Sequence, residues 1–275
     1  MTRTTRAARR ALLVPALLAL VIAAGACTKK DDGGATDAGV PLVKAGQLTT
    51  CTHLPYPPFQ DKVGGKYVGF DVALIDLVAR KLNVKQEIVD TPFEGIKSGQ
   101  DLNSGKCDVA AAGMTITEDR KKVLAFSDPY FDATQALLIG FGQPFTRLED
   151  LANKTVGVQA QTTGEDYLKK RVAKQGLKLE IKSYRDLAGL QQALGTRQIA
   201  GAVNDLPVWN NLMKNNAGKF VVVEGYDTGE QYGFAVKKGG DPRLLATINE
   251  VIAAAKADGA YDALYNEWIG KKPTA

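Results

Sequence analysis

The sequence predicts an α/β protein, and three observations predict it. Short apolar runs end in polar turns that open helices. Val109-Ala110-Ala111-Ala112 leads into Gly113 and then Thr117-Glu118-Asp119-Arg120, and Thr155-Val156-Gly157-Val158 leads into Gln159 and then Gly164-Glu165-Asp166. Such runs suit parallel strands buried on both faces. Amphipathic helical stretches lie between them, as where Phe70, Leu74, Leu77, Val78 and Leu82 share one face. The plan of helix, turn, small-residue strand and polar end also occurs twice, at residues 104–113 and 195–205, as an echo of design rather than a sequence repeat. In α/β folds ligands bind just beyond the carboxyl ends of strands.

The 275 residues are 45% hydrophobic and 24% charged, ordinary for a globular protein and enough for one large or two modest domains. Residues 1–26 read as an export signal. A basic start precedes an apolar stretch over 11–24, broken by Pro15 and too short to span a bilayer. It ends in Ala24-Gly25-Ala26-Cys27. Small residues before a Cys resemble a bacterial lipobox, where the chain is cut before the Cys and the thiol carries lipid; Ala24 stands where that pattern prefers Leu. A plain secretory signal bordering a Cys is the alternative, and the lipoprotein is favoured. Acyl chains attach a protein without a spanning segment. Residues 27–44 are then the lipidated Cys and a polar, Gly-rich tether that cannot bury a core. The expected location is outside the cytoplasm, lipid-anchored to the outer face of the cell membrane. The net charge of +5 includes Arg3, Arg6, Arg9 and Arg10 of the signal. Without those four it is about +1, which gives no electrostatic case for nucleic acid.

The folded part is expected to begin near Gln47. Leu48-Thr49-Thr50-Cys51-Thr52 reads as a strand, and the loop from His53 to Phe59 is stiff because three prolines fix φ. Gly64-Gly65 is a hairpin tip. The next helix carries Asp71 in its first turn, where the helix dipole favours an acid. Residues 84–89 form a second strand, followed by Thr91-Pro92-Phe93-Glu94. After the strand at 109–112, Gly113 lets the backbone turn and a ligand approach closely. Thr117 reads as the N-cap of the helix that bears Arg120. Arg120 is suited to hold a carboxylate by two parallel hydrogen bonds, with Ala112, Gly113 and Thr115 supplying backbone groups and a hydroxyl beside it. The alternative is that Arg120 decorates a helix start next to Glu118 and Asp119. Residues 150–154 read as a helical turn and 155–158 as a strand. The polar turn from Gln159 to Thr163 then opens a helix whose unpaired N–H groups suit an anion. Residues 186–194 are helical. The next strand ends at Asp205, which either caps the helix before Pro207 or pairs with an ammonium. Residues 220–223 form a strand, and Asp241-Pro242 starts a helix that ends near Gly259. Tyr261, Leu264, Tyr265 and Trp268 share a helical stripe and read as core.

Ala112-Gly113-Met114-Thr115-Ile116-Thr117-Glu118-Asp119-Arg120, followed by Phe126-Ser127-Asp128-Pro129-Tyr130, resembles the signature of the extracytoplasmic solute-binding proteins that feed polar amino-acid ABC transporters. The resemblance covers nearly all of the chain after the tether. It implies a periplasmic-binding-protein-like fold of type II, two lobes joined by two crossings with the ligand in the cleft between them. Lobe one would take residues 45–133 and 231–275, and lobe two residues 134–230. It implies that Arg120 and the backbone of Thr163 hold the ligand's carboxylate and that Asp205 holds its α-amino group. Tyr56 and Phe93 would sandwich its side chain, and Gln159 would reach that side chain. His53, the single histidine, stands where many members carry an acid that reads the side chain, which weakens the case for a strictly cationic ligand. Gln161 stands where Gly is common. The implied partners are a free amino acid of glutamine, glutamate or basic type, and an ABC permease and ATPase complex that recognises the closed form. A monomer without cofactor is expected.

Other classes stay open. A cyclohexadienyl-dehydratase-like enzyme on the same fold needs a positioned acid or base, for which Glu94 or His53 would serve; the transporter-like set of Arg120 and Asp205 argues against it. A ligand-sensing domain is the third reading. No Cys and His cluster has metal-ligand spacing. Cys51 and Cys107 lie outside the cytoplasm, where thiols oxidise. A disulfide between them demands a close Cα approach, against which Cys51 sits late in its strand and Cys107 at the beginning of its own.

Overall fold

The computed structural model describes Thr36 and residues 39–271. The export signal, Cys27 and most of the expected tether lie outside the described residues. In chain order, β1 (Gln47–Thr52) leads to the hairpin β2 (Asp61–Val63) and β3 (Lys66–Val68). Then follow α1 (Phe70–Lys81), β4 (Lys85–Asp90), α2 (Phe93–Lys97), α3 (Gln100–Asn103), β5 (Val109–Ala110), α4 (Glu118–Lys121) and β6 (Leu124–Phe126). The chain crosses on β7 (Phe131–Gly140) and builds β8 (Thr155–Gln159), α5 (Thr163–Gln175), β9 (Glu180–Tyr184), α6 (Leu187–Gly195), β10 (Gly201–Asp205) and α7 (Leu206–Asn215). It returns on β11 (Phe220–Tyr232) to β12 (Ala235–Lys237), α8 (Pro242–Asp258) and α9 (Ala260–Trp268).

Two five-stranded sheets result, in the orders β4-β1-β5-β12-β6 and β11-β7-β10-β8-β9. β1 runs parallel to β4 and β5, and β8 parallel to β9 and β10, as expected where helices make the connections. This is the two-lobed α/β architecture. β7 and β11 pair antiparallel from Phe131 opposite Tyr232 to Gly140 opposite Phe220. They form one ribbon that joins the lobes. Its register breaks twice: Val223 is an extra residue between the Leu138–Val222 and Leu137–Glu224 pairs, and the wider break lies between the Gln135–Tyr226 and Ala133–Glu230 pairs, where three residues of β11 stand against the single Thr134.

The first sheet is backed by α1, whose Phe70, Leu74, Ile75 and Val78 are buried. Each contributes roughly 1.5–3 kcal/mol relative to exposure. The loop after β1 is fastened to the start of this helix, because Pro58 and Phe59 carbonyls accept from the amides of Phe70 and Asp71 at 3.0 Å. Gly69 permits that approach: its φ is +128°, and a Cβ there would lie 2.3 Å from the Phe59 carbonyl oxygen.

Four sequence expectations need correction. The folded part begins before Gln47, since Val40 and Leu42 are buried and the Val43 amide donates to Asp108 at 2.6 Å; the apolar run Val40-Pro41-Leu42-Val43 has surface to bury, unlike the polar residues before it. The strand at 109–112 pairs only over Val109–Ala110, because the chain must turn at Gly113. The helical turn expected at 150–154 is a 3₁₀ turn at Leu148–Leu151, set earlier by burial of both leucines. In α9 only Tyr261 is buried; Leu264, Tyr265 and Trp268 are half-buried against the core.

Cys51 and Cys107 form a disulfide, with Cα atoms 5.7 Å apart. β5 is so short that Cys107 belongs to the incoming connection and not to the strand. It joins Cys51, Ile96, Leu102 and Ala110 in one buried cluster on that face of the sheet. Among the described residues, no helix is long and apolar enough to cross a membrane.

Candidate functional site

The carboxyl ends of β1, β5, β8 and β10 bring their following turns to one cavity of about 360 Å³, part of it open to solvent. From the first lobe it is lined by His53, Tyr56, Phe93, Ala112, Gly113, Thr115 and Arg120, and from the second by Gln159, Thr163 and Asp205. All ten residues singled out from the sequence therefore share one wall-to-wall site. Gln60 and Thr162 line it as well. Glu94 is exposed and does not line it.

Arg120 is set by its helix start. Thr117 caps α4 by accepting from the Arg120 amide at 3.2 Å. The guanidinium donates through Nη1 to the Thr115 carbonyl at 2.8 Å and lies 5.3 Å from the centre of the Phe93 ring, a cation–π distance. It is 8% exposed, and no ion pair among the described residues includes it. Burial lowers its pKa, and the charges of Glu230 and Asp205 oppose that shift.

Asp205 ends β10 at the N-cap position of α7, yet its side chain makes no capping hydrogen bond. It accepts instead from the hydroxyl of Tyr56 at 2.5 Å, from the hydroxyl of Tyr232 and from Nε2 of Gln135. Burial raises its pKa to about 6, with Glu230 adding to the shift and those three donors pulling against it. Tyr56 and Tyr232 are pushed well above their ordinary pKa by burial and by Asp205, so both remain donors.

Gly113 sits at φ +54° with the Tyr56 ring against it; a Cβ there would lie 3.1 Å from that ring. Its amide donates to Asp71 Oδ2 at 2.8 Å, and the Tyr130 hydroxyl donates to Oδ1 at 2.7 Å. Asp71 is thus the buried post that holds the ligand-side turn, its pKa raised to about 7 by burial against both donors. Across the cleft, Thr162 caps α5 by accepting from the Glu165 amide. Gln161 has a positive φ of +66°, the conformation a glycine would take there. His53 places Nδ1 3.0 Å from the Thr91 carbonyl oxygen.

Sequence reasoning missed Glu230. Its Oε2 accepts from Thr115 Oγ1 at 3.2 Å, Thr163 Oγ1 at 3.0 Å and Gln135 Nε2 at 3.0 Å, and so touches both lobes from the joining ribbon. Gln135 was visible as a lone amide within the apolar run of β7, where a buried polar group requires a partner. Nothing local marked Glu230 or Tyr232, because the β7–β11 register brings them to the site.

Residues 48–271 match the family described as bacterial extracellular solute-binding proteins, family 3. The chain is 30% identical over 266 residues to a probable histidine-binding protein of Neisseria gonorrhoeae, across 94% of this chain and 96% of that one. An ancestral arginine-binding protein solved with glutamine is 41% identical, with a TM-score of 0.75 over 82% of this chain and 99% of that chain. An ancestral amino-acid-binding protein, a precursor of cyclohexadienyl dehydratase, is 37% identical, with a TM-score of 0.74 over 82% and 96%.

Proposed function

The chain belongs to the bacterial extracellular solute-binding proteins of family 3, and from that premise we propose that it captures a free polar amino acid by hinge closure and delivers it to an ABC importer. The observation that carries the reading is the pairing of Arg120 and Asp205 in one cavity, one positive and one negative group on opposite lobes. This is the charge complement of a zwitterion. Arg120 takes the carboxylate with the Thr163 amide at the start of α5, where N–H groups are unpaired. Asp205 takes the ammonium, and Tyr56 and Phe93 flank the side chain. Ligand held by both lobes favours the closed state in proportion to its differential affinity for it. The domain works as a monomer outside the cytoplasm, lipid-anchored through Cys27, and its closed form meets the permease and ATPase complex. The relatives named for histidine and arginine binding support an amino acid as cargo.

A dehydratase remains the competing reading because one similar protein is a precursor of such an enzyme. Of its two acid–base candidates, Glu94 is exposed and only His53 lines the cavity.

A thermal-shift screen of the purified chain against the twenty amino acids tests the proposal. A ligand at ~100-fold excess over its Kd stabilises by about 2.7 kcal/mol. One polar group of amino acids raises the Tm. Arg120→Ala and Asp205→Ala each weaken binding at least ~30-fold, since removing one partner of a buried charge pair costs about 2–5 kcal/mol. No shift with any amino acid overturns it, and turnover of a cyclohexadienyl substrate would then favour the dehydratase.

A further inference from the structure

We propose that His53, Gln60 and Gln159 select a ligand whose side chain ends in planar N–H donors, a carboxamide or a guanidinium, and reject one that ends in a carboxylate. This rests on the amino-acid reading above and adds to it the chemistry of the side chain.

Three side chains that line the cavity have a buried polar atom without a hydrogen-bond partner: Nε2 of His53, Oε1 of Gln60 and Oε1 of Gln159. Buried polar atoms are almost always paired, and orphans at a binding wall are what a ligand would satisfy. The character of each atom follows from its own ring or amide. A carbonyl oxygen only accepts, so the Thr91 carbonyl 3.0 Å from His53 Nδ1 places the proton on Nδ1. In the neutral ring Nε2 then carries the lone pair. Gln60 donates through Nε2 to the His53 carbonyl at 3.5 Å, which orients its amide with Oε1 as the unused acceptor. Gln159 adds an amide from the other lobe whose oxygen has no partner and which is free to turn that oxygen toward a ligand N–H. The wall thus offers acceptors and asks for donors.

Charge narrows the choice. Arg120 is the only Lys or Arg among the described residues lining this cavity, as Asp205 is the only acid among them, and the ligand's α-carboxylate uses Arg120. A second carboxylate would meet lone pairs and no cation. The α-ammonium uses Asp205, so a compact, strongly hydrated ammonium on the side chain would be desolvated without a counter-charge. A guanidinium is more weakly hydrated and lies readily against aromatic rings such as Tyr56 and Phe93, and a carboxamide carries no charge to desolvate.

Isothermal titration of the full chain, purified in detergent, with glutamine, arginine, glutamate and lysine tests this. Glutamine or arginine is expected to bind at least ~100-fold more tightly than glutamate, because a site built to hydrogen-bond a substrate N–H rejects analogues that lack it, and more tightly than lysine, whose ammonium is desolvated there without a counter-charge. His53→Phe keeps a flat ring and removes the acceptor. It should weaken the preferred ligand roughly 10-fold and narrow its margin over glutamate, while Gln159→Met makes the same test from the other lobe. Glutamate or lysine binding as tightly as glutamine and arginine overturns the proposal and leaves the amino-acid reading standing. Binding of none of the four overturns the proposal, and no thermal shift with any of the twenty amino acids overturns both.

Discussion

At Asp205, burial and hydrogen bonding pull one carboxyl group in opposite directions. Two tyrosine hydroxyls and an amide stabilise its charge, yet burial holds its pKa near 6. An ammonium needs the ionised form. Above pH 6 the group is already charged and adds no pH dependence of its own to the proposed ligand binding. Below pH 6 a proton must leave first, so affinity should fall about tenfold per pH unit. Titration calorimetry from pH 8 to 4.5 should show this slope. Asp205→Asn should bind weakly with no break near 6, and a wild-type affinity unchanged down to pH 4.5 would contradict the assignment. The residues whose types carry the chemistry were legible in the sequence, since a guanidinium at a helix start and an acid at a strand end are local patterns. His53 was legible only as a position. Its tautomer depends on the Thr91 carbonyl from the neighbouring strand end, which local sequence does not reveal.

The elements show where local signals suffice and where they do not. The expected N-cap Thr117 accepts a backbone N–H, as Thr162 and Asp186 do at the starts of α5 and α6, and Gly259 ends α8 in the left-handed region. Those features need only a few consecutive residues. The role of β11 needed a register. It extends to Tyr232 and delivers Glu230 to hydroxyls of both lobes. Hydrogen bonds to a charged acceptor contribute about 1.5–3 kcal/mol each, so this carboxylate favours the closed arrangement even without ligand. Glu230→Ala should therefore shift the ligand-free protein toward an open form by ~10-fold or more. Small-angle X-ray scattering should record a larger radius of gyration for the variant, which saturating ligand restores. An unchanged radius would mean that Glu230 does not hold the lobes together.

For the molecule as a whole, the α/β class could be inferred from the plan of helix, turn and strand and the two lobes from the family resemblance, but the covalent tie stayed open. The disulfide depends on β5 being two residues long, a consequence of how the chain turns toward the cleft. It closes a loop across a sequence separation of 56, and chain entropy assigns such a loop about 4 kcal/mol. Replacing both Cys51 and Cys107 with Ser should lower the urea midpoint by a corresponding amount while leaving ligand affinity within ~2-fold, because neither cysteine lines the cavity and the bond reaches it only through Ala112 and Phe93 of the same cluster. A large loss of affinity would show instead that the bond shapes the site. The ribbon of β7 and β11 has a mechanical meaning of its own. Two strands laddered to each other cannot lengthen or swivel independently without breaking hydrogen bonds, so they bend as a single strip. A strip creases most readily at its widest interruption, here opposite Thr134, one residue from Gln135 and next to Glu230. The lobes would then swing like a book on one spine. The fold line runs beside the binding site, so a small bend there becomes a wide opening at the outer edge.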